Sequence, residues 1–128
     1  MSSNTDIVRQ FVADWSKNDV PTVMAYFTDD CVYHNIPMDP VQGTDAILAT
    51  VNGFAGMSEE IQWDLLAIAE SADGVVLTER VDKFKIAGNW IELPVMGTFE
   101  LRDGKISAWR DYFDMNQFTS QVPGMGGE

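Results

Sequence analysis

The residues best suited to chemistry in this chain form three polar pairs, and the two members of each pair are separated by one residue. The pairs are Tyr33 with Asn35, Arg80 with Asp82, and Trp109 with Asp111. Residues at i and i+2 of a β-strand point to the same face, so three strands of one sheet could bring all six side chains together. Polar groups on a buried face must satisfy one another or serve a reaction. Two carboxylates with an arginine available between them suit general acid–base catalysis.

Acid–base catalysis by two aspartates requires that they differ in protonation. One must be ionised to accept a proton, and the other must be protonated to donate one. Burial raises a carboxyl pKa and a neighbouring arginine lowers it, so Asp82 and Asp111 would titrate as a coupled set if both flank Arg80. The residues do not say which aspartate keeps the proton.

A structural ion pair between Arg80 and one aspartate is an alternative of about equal weight. Tyr33 and Asn35 favour a functional site, because an ion pair does not need them and both have the right parity to hold a water molecule.

The elements that position these pairs are read from the periodicity of apolar residues. Helices are expected over 7–15, after Asp19 with Pro21 in the first turn, and over 44–54. A turn is expected at Asp29 and Asp30. Strands are expected over 31–35, 61–65, 75–86, 90–101 and 105–113, with hairpin turns at 71–74, 87–89 and 102–104 and a last helical turn over 116–122.

Helices followed by an antiparallel meander predict an α+β fold, in which the helices pack on one face of a strongly curved sheet and enclose a pocket. Strand parity predicts the inner residues, which are Val76, Thr78, Arg80, Asp82, Phe84, Ile91, Leu93, Val95, Gly97, Ser107, Trp109, Asp111 and Phe113. This face is apolar except near the polar pairs. An apolar cavity with a few convergent polar groups is typical of a small-molecule site.

The composition narrows the classes of partner. The 128 residues, 45% of them hydrophobic, fit one domain over 1–128 with an ample core. A net charge of −12 with only eight Lys and Arg argues against nucleic acid and against membrane surfaces. One cysteine and one histidine disfavour both a disulfide and a zinc site, so we expect a cytoplasmic protein without metal or cofactor. The polar N-terminus lacks the features of a signal peptide, and the glycine-rich tail over 123–128 is expected to be mobile.

Three segments hold the polar pairs and their neighbours: residues 32–37 (VYHNIP), 77–82 (LTERVD) and 104–114 (GKISAWRDYFD). Together they resemble the limonene-1,2-epoxide hydrolase family, and the resemblance extends from Ile7 to Phe118. It implies a conical, mixed, mostly antiparallel sheet of the cystatin-like or NTF2-like type, related to ketosteroid isomerase. It also implies that water adds to an epoxide in one step, without a covalent enzyme intermediate and without metal, to give a vicinal diol.

The resemblance assigns a role to each matched position. Asp111 deprotonates the water that Tyr33 and Asn35 hold. Asp82 protonates the epoxide oxygen, and Arg80 bridges the two aspartates. Trp109 packs and forms a hydrogen bond beside the site.

The substrate is expected to be a small, apolar, cyclic or terpene-like epoxide. The expected pocket walls are Val12, Trp15, Phe84, Leu93, Val95 and Phe113. The resemblance and the outward apolar residues Leu77, Val81 and Tyr112 also suggest a homodimer. Two other functions remain open: an isomerase or cyclase on the same fold that uses one aspartate as a base, and a binding module for hydrophobic ligands without catalysis.

Overall fold

The computed structural model describes residues 3–122, so the expectation for the tail over 123–128 lies outside the described residues. Within the described residues there are four helices: α1 (Asn4–Trp15), α2 (Val20–Met24), α3 (Thr44–Met57) and α4 (Met115–Thr119). The same part of the chain contains six strands, which form one sheet: β1 (Phe27–Asn35), β2 (Val41–Gln42), β3 (Glu60–Glu70), β4 (Val76–Ile86), β5 (Asn89–Arg102) and β6 (Lys105–Tyr112). None of the helices within 3–122 is long and apolar enough to cross a membrane.

The strands lie in the order β2-β1-β6-β5-β4-β3. Strand β1 runs parallel to β6, and the other neighbouring strands are antiparallel. The predicted α+β class with a mixed, mostly antiparallel sheet is therefore confirmed. The return of β1 to the far side of β6 brings an N-terminal strand beside the C-terminal one.

Helix α1 forms because Val8, Phe11, Val12 and Trp15 recur every three or four residues, and all four are buried. The Ser3 hydroxyl caps the helix by accepting a hydrogen bond from the backbone N–H of Asp6 at 3.0 Å. The apolar stripe of α1 is thereby directed at the sheet, where its aromatic rings complete the core below the polar pairs.

Two tight turns set the register of the central hairpins. Both loop residues have positive φ in Ala87-Gly88 (51° and 80°) and in Asp103-Gly104 (53° and 81°). This combination belongs to the type I′ turn, whose twist matches that of antiparallel strands. The predicted hairpins at 87–89 and 102–104 are therefore confirmed, and with them the pairing of β4 with β5 and of β5 with β6.

Two local predictions were wrong because the strands carry irregularities. The expected turn at Asp29 and Asp30 lies inside β1, where the register shifts between Phe27 and Val32. The expected inward position of Ser107 is lost at a second register shift, opposite Glu100. Its hydroxyl donates a hydrogen bond to the backbone oxygen of Glu100 at 3.1 Å, while the neighbouring Ile106 is fully buried. One extra residue in a strand reverses the parity on one side of it.

The core lies between α1 and the inner face of the sheet and is rich in aromatic rings. Phe11 meets Trp109 edge to face with ring centroids 5.0 Å apart. Trp15 stacks on Trp63 at 4.4 Å with nearly parallel planes. The aromatic rings of the core therefore pack against the polar pairs, since Trp109 belongs to one of them.

Candidate active site

The strand register places two of the three polar pairs side by side. Because β1 is parallel to β6, Tyr33 lies opposite Trp109 and Asn35 lies opposite Asp111. The remaining pair, Arg80 and Asp82, lies two strands away on β4, with β5 between. The Arg80 side chain therefore has to cross β5 to reach Asp111.

Arg80 makes that crossing and binds both aspartates. Its Nε and Nη2 donate to the two carboxylate oxygens of Asp82 at 2.9 and 2.8 Å. Its Nη2 and Nη1 donate to the two carboxylate oxygens of Asp111 at 2.8 and 3.2 Å. The Arg80 side chain is fully buried, and the aspartate residues are each 3% exposed. We call Asp82, Arg80 and Asp111 the triad.

Trp109 and Tyr33 fix the side of the triad next to β1. The indole Nε1 of Trp109 donates to Asp111 Oδ1 at 2.7 Å. The Tyr33 ring stacks on Trp109 with centroids 4.0 Å apart and planes 6° apart. The Asp111 carboxylate consequently accepts three hydrogen bonds, which hold its orientation.

Burial and neighbouring charge act in opposite directions on the triad. Burial raises the pKa of Asp82 to about 6, against the opposing effect of Arg80, and the charge of Asp111 adds to the rise. Burial alone would lower the pKa of Arg80, but the two carboxylates more than offset this and hold its pKa above the usual value. Two carboxylates and one guanidinium would carry a net negative charge in a dry site. A proton on Asp82 makes the triad neutral.

Burial also raises the pKa of Tyr33 well above its ordinary value, and the charge of Asp111 contributes in the same direction. A hydrogen bond with Asn35 acts against that rise. The phenol therefore stays protonated and can donate a hydrogen bond.

An apolar cavity of about 390 Å³ opens above the triad. Tyr33, Asn35, Asp82 and Asp111 contribute to its lining. Five of the six expected walls line it as well: Trp15, Phe84, Leu93, Val95 and Phe113. Val12 does not, and the prediction for it was wrong. Its side chain packs in the buried core between α1 and the sheet, because Val12 belongs to the apolar stripe of α1.

Several residues around the cavity were not among the expected walls. Trp63 lines it, lies opposite Asp82 in the sheet and covers the Arg80 guanidinium, whose central carbon is 4.6 Å from the centroid of the indole ring. Trp63 lies in the strand expected over 61–65, where apolar and polar residues alternate, but nothing in that alternation pointed to Arg80. Other lining residues come from the loop between β1 and β2, from α3 and from α4: Met38, Ala49, Thr50, Gly53, Phe54, Met57, Met115, Phe118 and Thr119.

Within residues 3–122, no three histidine, cysteine, aspartate or glutamate side chains cluster closely enough to hold a metal ion. The donor groups around the cavity are an arginine, a phenol, an amide and an indole, beside two carboxylates that Arg80 already engages. This set suits proton transfer and the binding of a small oxygen-containing molecule.

An α+β fold whose buried polar side chains face an apolar cavity is typical of proteins that bind or convert small molecules. The model of the family described as limonene-1,2-epoxide hydrolase catalytic domain matches residues 2–124, so the chain belongs to that family. The predicted family is therefore confirmed.

Similar proteins include epoxide hydrolase EphG of Mycobacterium tuberculosis, which is 36% identical over 112 residues, covering 84% of this chain and 71% of EphG. A solved structure of an LEH-like epoxide hydrolase of M. tuberculosis matches with a TM-score of 0.79 and 28% identity, over 93% of this chain and 88% of that chain. A protein of Catenulispora acidiphila with a ketosteroid isomerase-like fold matches with a TM-score of 0.81 and 19% identity, over 95% and 96% of the two chains. This last likeness shows the fold.

Proposed function

We propose that the protein adds water in one step to an apolar, cyclic or terpene-like epoxide and releases a vicinal diol. The observation that carries this proposal is the buried triad at the base of an apolar cavity, with two aspartates bridged by Arg80. Membership of the limonene-1,2-epoxide hydrolase family supports the same reaction.

In the proposed reaction, Asp111 is the base and Asp82 is the acid. Asp111 takes a proton from a water molecule that the Tyr33 phenol and the Asn35 amide hold. The water oxygen forms a bond to one epoxide carbon while the bond from that carbon to the ring oxygen breaks. The departing oxygen takes the proton of Asp82. One proton must then return from Asp111 to Asp82 to restore the resting state.

The physical conditions of the site support this division of roles. The pKa of Asp82, raised to about 6 by burial, leaves about a tenth of that carboxyl protonated at pH 7, which is far more than the ordinary value of 3.8 would leave. Trp109 and Arg80 together give three hydrogen bonds to Asp111, which stabilise a carboxylate. Orientation of the water and a positioned proton donor can supply much of the reduction in the barrier.

The reaction is tested by incubating the protein with a panel of cyclic and terpene epoxides in ¹⁸O-labelled water. We expect a diol that carries one labelled oxygen. An isomerase or cyclase would release product without label, and a binding module would bind the epoxide without converting it. The absence of labelled diol from every epoxide of the panel contradicts the proposal.

The roles are tested by Asp82→Asn and Asp111→Asn, each of which is expected to abolish diol formation while the fold persists. Asp64→Asn is a matched control, because Asp64 lies on the edge strand β3 in an ion pair with Lys83 and does not line the cavity. A variant at position 82 or 111 that keeps most of the wild-type turnover would refute the role of that residue.

We also propose that the protein is a homodimer. The outer face of the sheet exposes Leu66, Leu77, Met96 and Tyr112 to extents of 45–59%. These side chains come from four neighbouring strands, and a second copy of the sheet would cover them. The molecular mass in solution tests this proposal. A cytoplasmic location also remains a proposal, and it rests on the single cysteine.

A further inference from the structure

The guanidinium of Arg80 reaches Asp111 by passing over one residue of β5, which is Gly97. In the sheet, Gly97 is paired with Asp111 on one side and with Thr78 on the other. A Cβ atom at position 97 would lie 2.5 Å from Arg80 Nη1 and 2.6 Å from Asp111 Oδ1. The hydrogen bond between those two atoms therefore occupies the space that any side chain would take.

The backbone gives no other reason for glycine at this position. Gly97 is not among the glycines with positive φ, and it lies in the middle of a long strand. Glycine in the interior of a strand weakens it, because it has no side chain to pack and more conformational freedom to lose. Clearance for the guanidinium is the property that Gly97 supplies.

Thr78 supplies the complementary property, which is an acceptor. A guanidinium has five N–H groups, and the carboxylates of Asp82 and Asp111 accept from four of them. The fifth, on Nη1, donates to Thr78 Oγ1 at 3.3 Å. The Thr78 hydroxyl itself donates to the backbone oxygen of Gly97 at 3.4 Å, and the residue is 2% exposed. Without this hydroxyl, one N–H of a buried cation would lack a partner.

We propose that Gly97 and Thr78 are positioning residues for the reaction. Gly97 leaves the gap through which Arg80 bridges the two aspartates, and Thr78 holds Nη1 so that the guanidinium stays in that gap. This inference rests on the proposed function, because the triad is the catalytic unit whose geometry they set.

The first test is Gly97→Ala with Gly56→Ala as its matched control. A Cβ at Gly56 meets no atom within 4 Å, and Gly56 does not line the cavity. We expect Gly97→Ala to lower kcat by about 100-fold, because displacement of a catalytic group by about 1 Å has that effect. We expect KM to change much less, since the cavity walls are untouched. Gly56→Ala should keep the wild-type kcat.

The folded fraction separates positioning from a loss of folded protein. Circular dichroism gives the folded fraction of each variant, and kcat is expressed per folded molecule. We expect the loss in Gly97→Ala to persist after this correction, because the added Cβ lies in the space of the hydrogen bond from Arg80 Nη1 to Asp111 Oδ1. A loss of rate that the folded fraction explains completely would overturn the inference.

The second test compares Thr78→Val with Thr78→Ser. Valine keeps the shape of threonine but removes the acceptor, and we expect about a tenfold loss of kcat. Serine keeps the hydroxyl and should restore most of the rate. Equal losses in both variants, or none in either, would contradict the role of Thr78. This pair also decides the inference if Gly97→Ala does not fold.

A readout independent of activity distinguishes this inference from the proposed function. In ¹⁵N NMR spectra, the Arg80 Nε–H should be protected from exchange with water in the wild type, because Asp82 Oδ1 binds it in a buried site. Gly97→Ala should shift this resonance and increase its exchange, whereas Gly56→Ala should not.

If the wild type makes no diol, the proposed function fails while this measurement still tests Gly97. An unchanged resonance in Gly97→Ala would overturn the inference even in an active hydrolase.

Discussion

Asp82→Asn is expected to remove a component of stability that depends on pH. The carboxyl of Asp82 is buried, and burial raises its pKa to about 6 from the ordinary value of 3.8. Between these two pH values, the native state holds a proton that the unfolded chain releases, so the free energy of unfolding falls as pH rises. One pKa unit corresponds to about 1.4 kcal/mol, and a difference of roughly two units therefore gives about 3 kcal/mol. The contribution is fully present below about pH 4 and lost above about pH 6.

The assay is urea unfolding of the wild type and of Asp82→Asn at several pH values from 4 to 7. Other carboxylates also change the stability of the wild type, so the informative quantity is the difference between the two proteins. That difference should shift by about 3 kcal/mol across the window, in favour of the wild type at low pH.

Asp64→Asn provides a control of opposite sign. A hydrogen bond from Lys83 holds the pKa of Asp64 below its ordinary value. Its contribution to stability is therefore present at neutral pH and lost as pH falls, and solvent exposure keeps it small.

A difference in unfolding free energy between the wild type and Asp82→Asn that stays constant from pH 4 to 7 would contradict this prediction. It would mean that burial does not hold a proton on Asp82. The assignment of Asp82 as the acid would then lose its physical basis, whatever the activity of the variant.

Two further predictions concern the neighbours of the triad. Trp109→Phe keeps an aromatic ring against Tyr33 but removes the 2.7 Å hydrogen bond to Asp111, so kcat should fall by about 10- to 100-fold. Single-turnover rates of diol formation measure this loss, and a variant that keeps half of the wild-type rate would contradict the prediction. Gly53→Leu adds a side chain where a Cβ meets no atom within 4 Å on the α3 wall of the cavity. It should raise KM about tenfold for bulky bicyclic epoxides and much less for small ones, and an equal change for both sizes would show that Gly53 does not set the size limit.

Much of the fold could be predicted because its signals are local. The Asp103-Gly104 turn and the apolar spacing of α1 each depend on a few neighbouring residues, and both were predicted. The errors at Asp30 and Ser107 have a common cause. Each lies at a shift in strand register, and such shifts depend on the partner strand rather than on the residues themselves.

The candidate site could be predicted only in part for a similar reason. Strand parity put Arg80 and Asp111 on inner faces, and family resemblance suggested that they work together. Neither consideration indicated that Trp63 covers the guanidinium or that Val12 lies in the core away from the cavity. Both facts depend on how α1 and β3 pack against the sheet.

The amino-acid sequence is enough to show which polar side chains share a strand face, because the two-residue period belongs to the backbone of a single strand. The folded sheet was needed to show that β1 lies parallel to β6, which brings Asn35 beside Asp111, and that β5 separates β4 from β6. That order requires Arg80 to cross a strand and makes Gly97 the residue beneath the crossing. Strand order is a property of the whole sheet, since it follows from the packing of elements that are far apart in the chain.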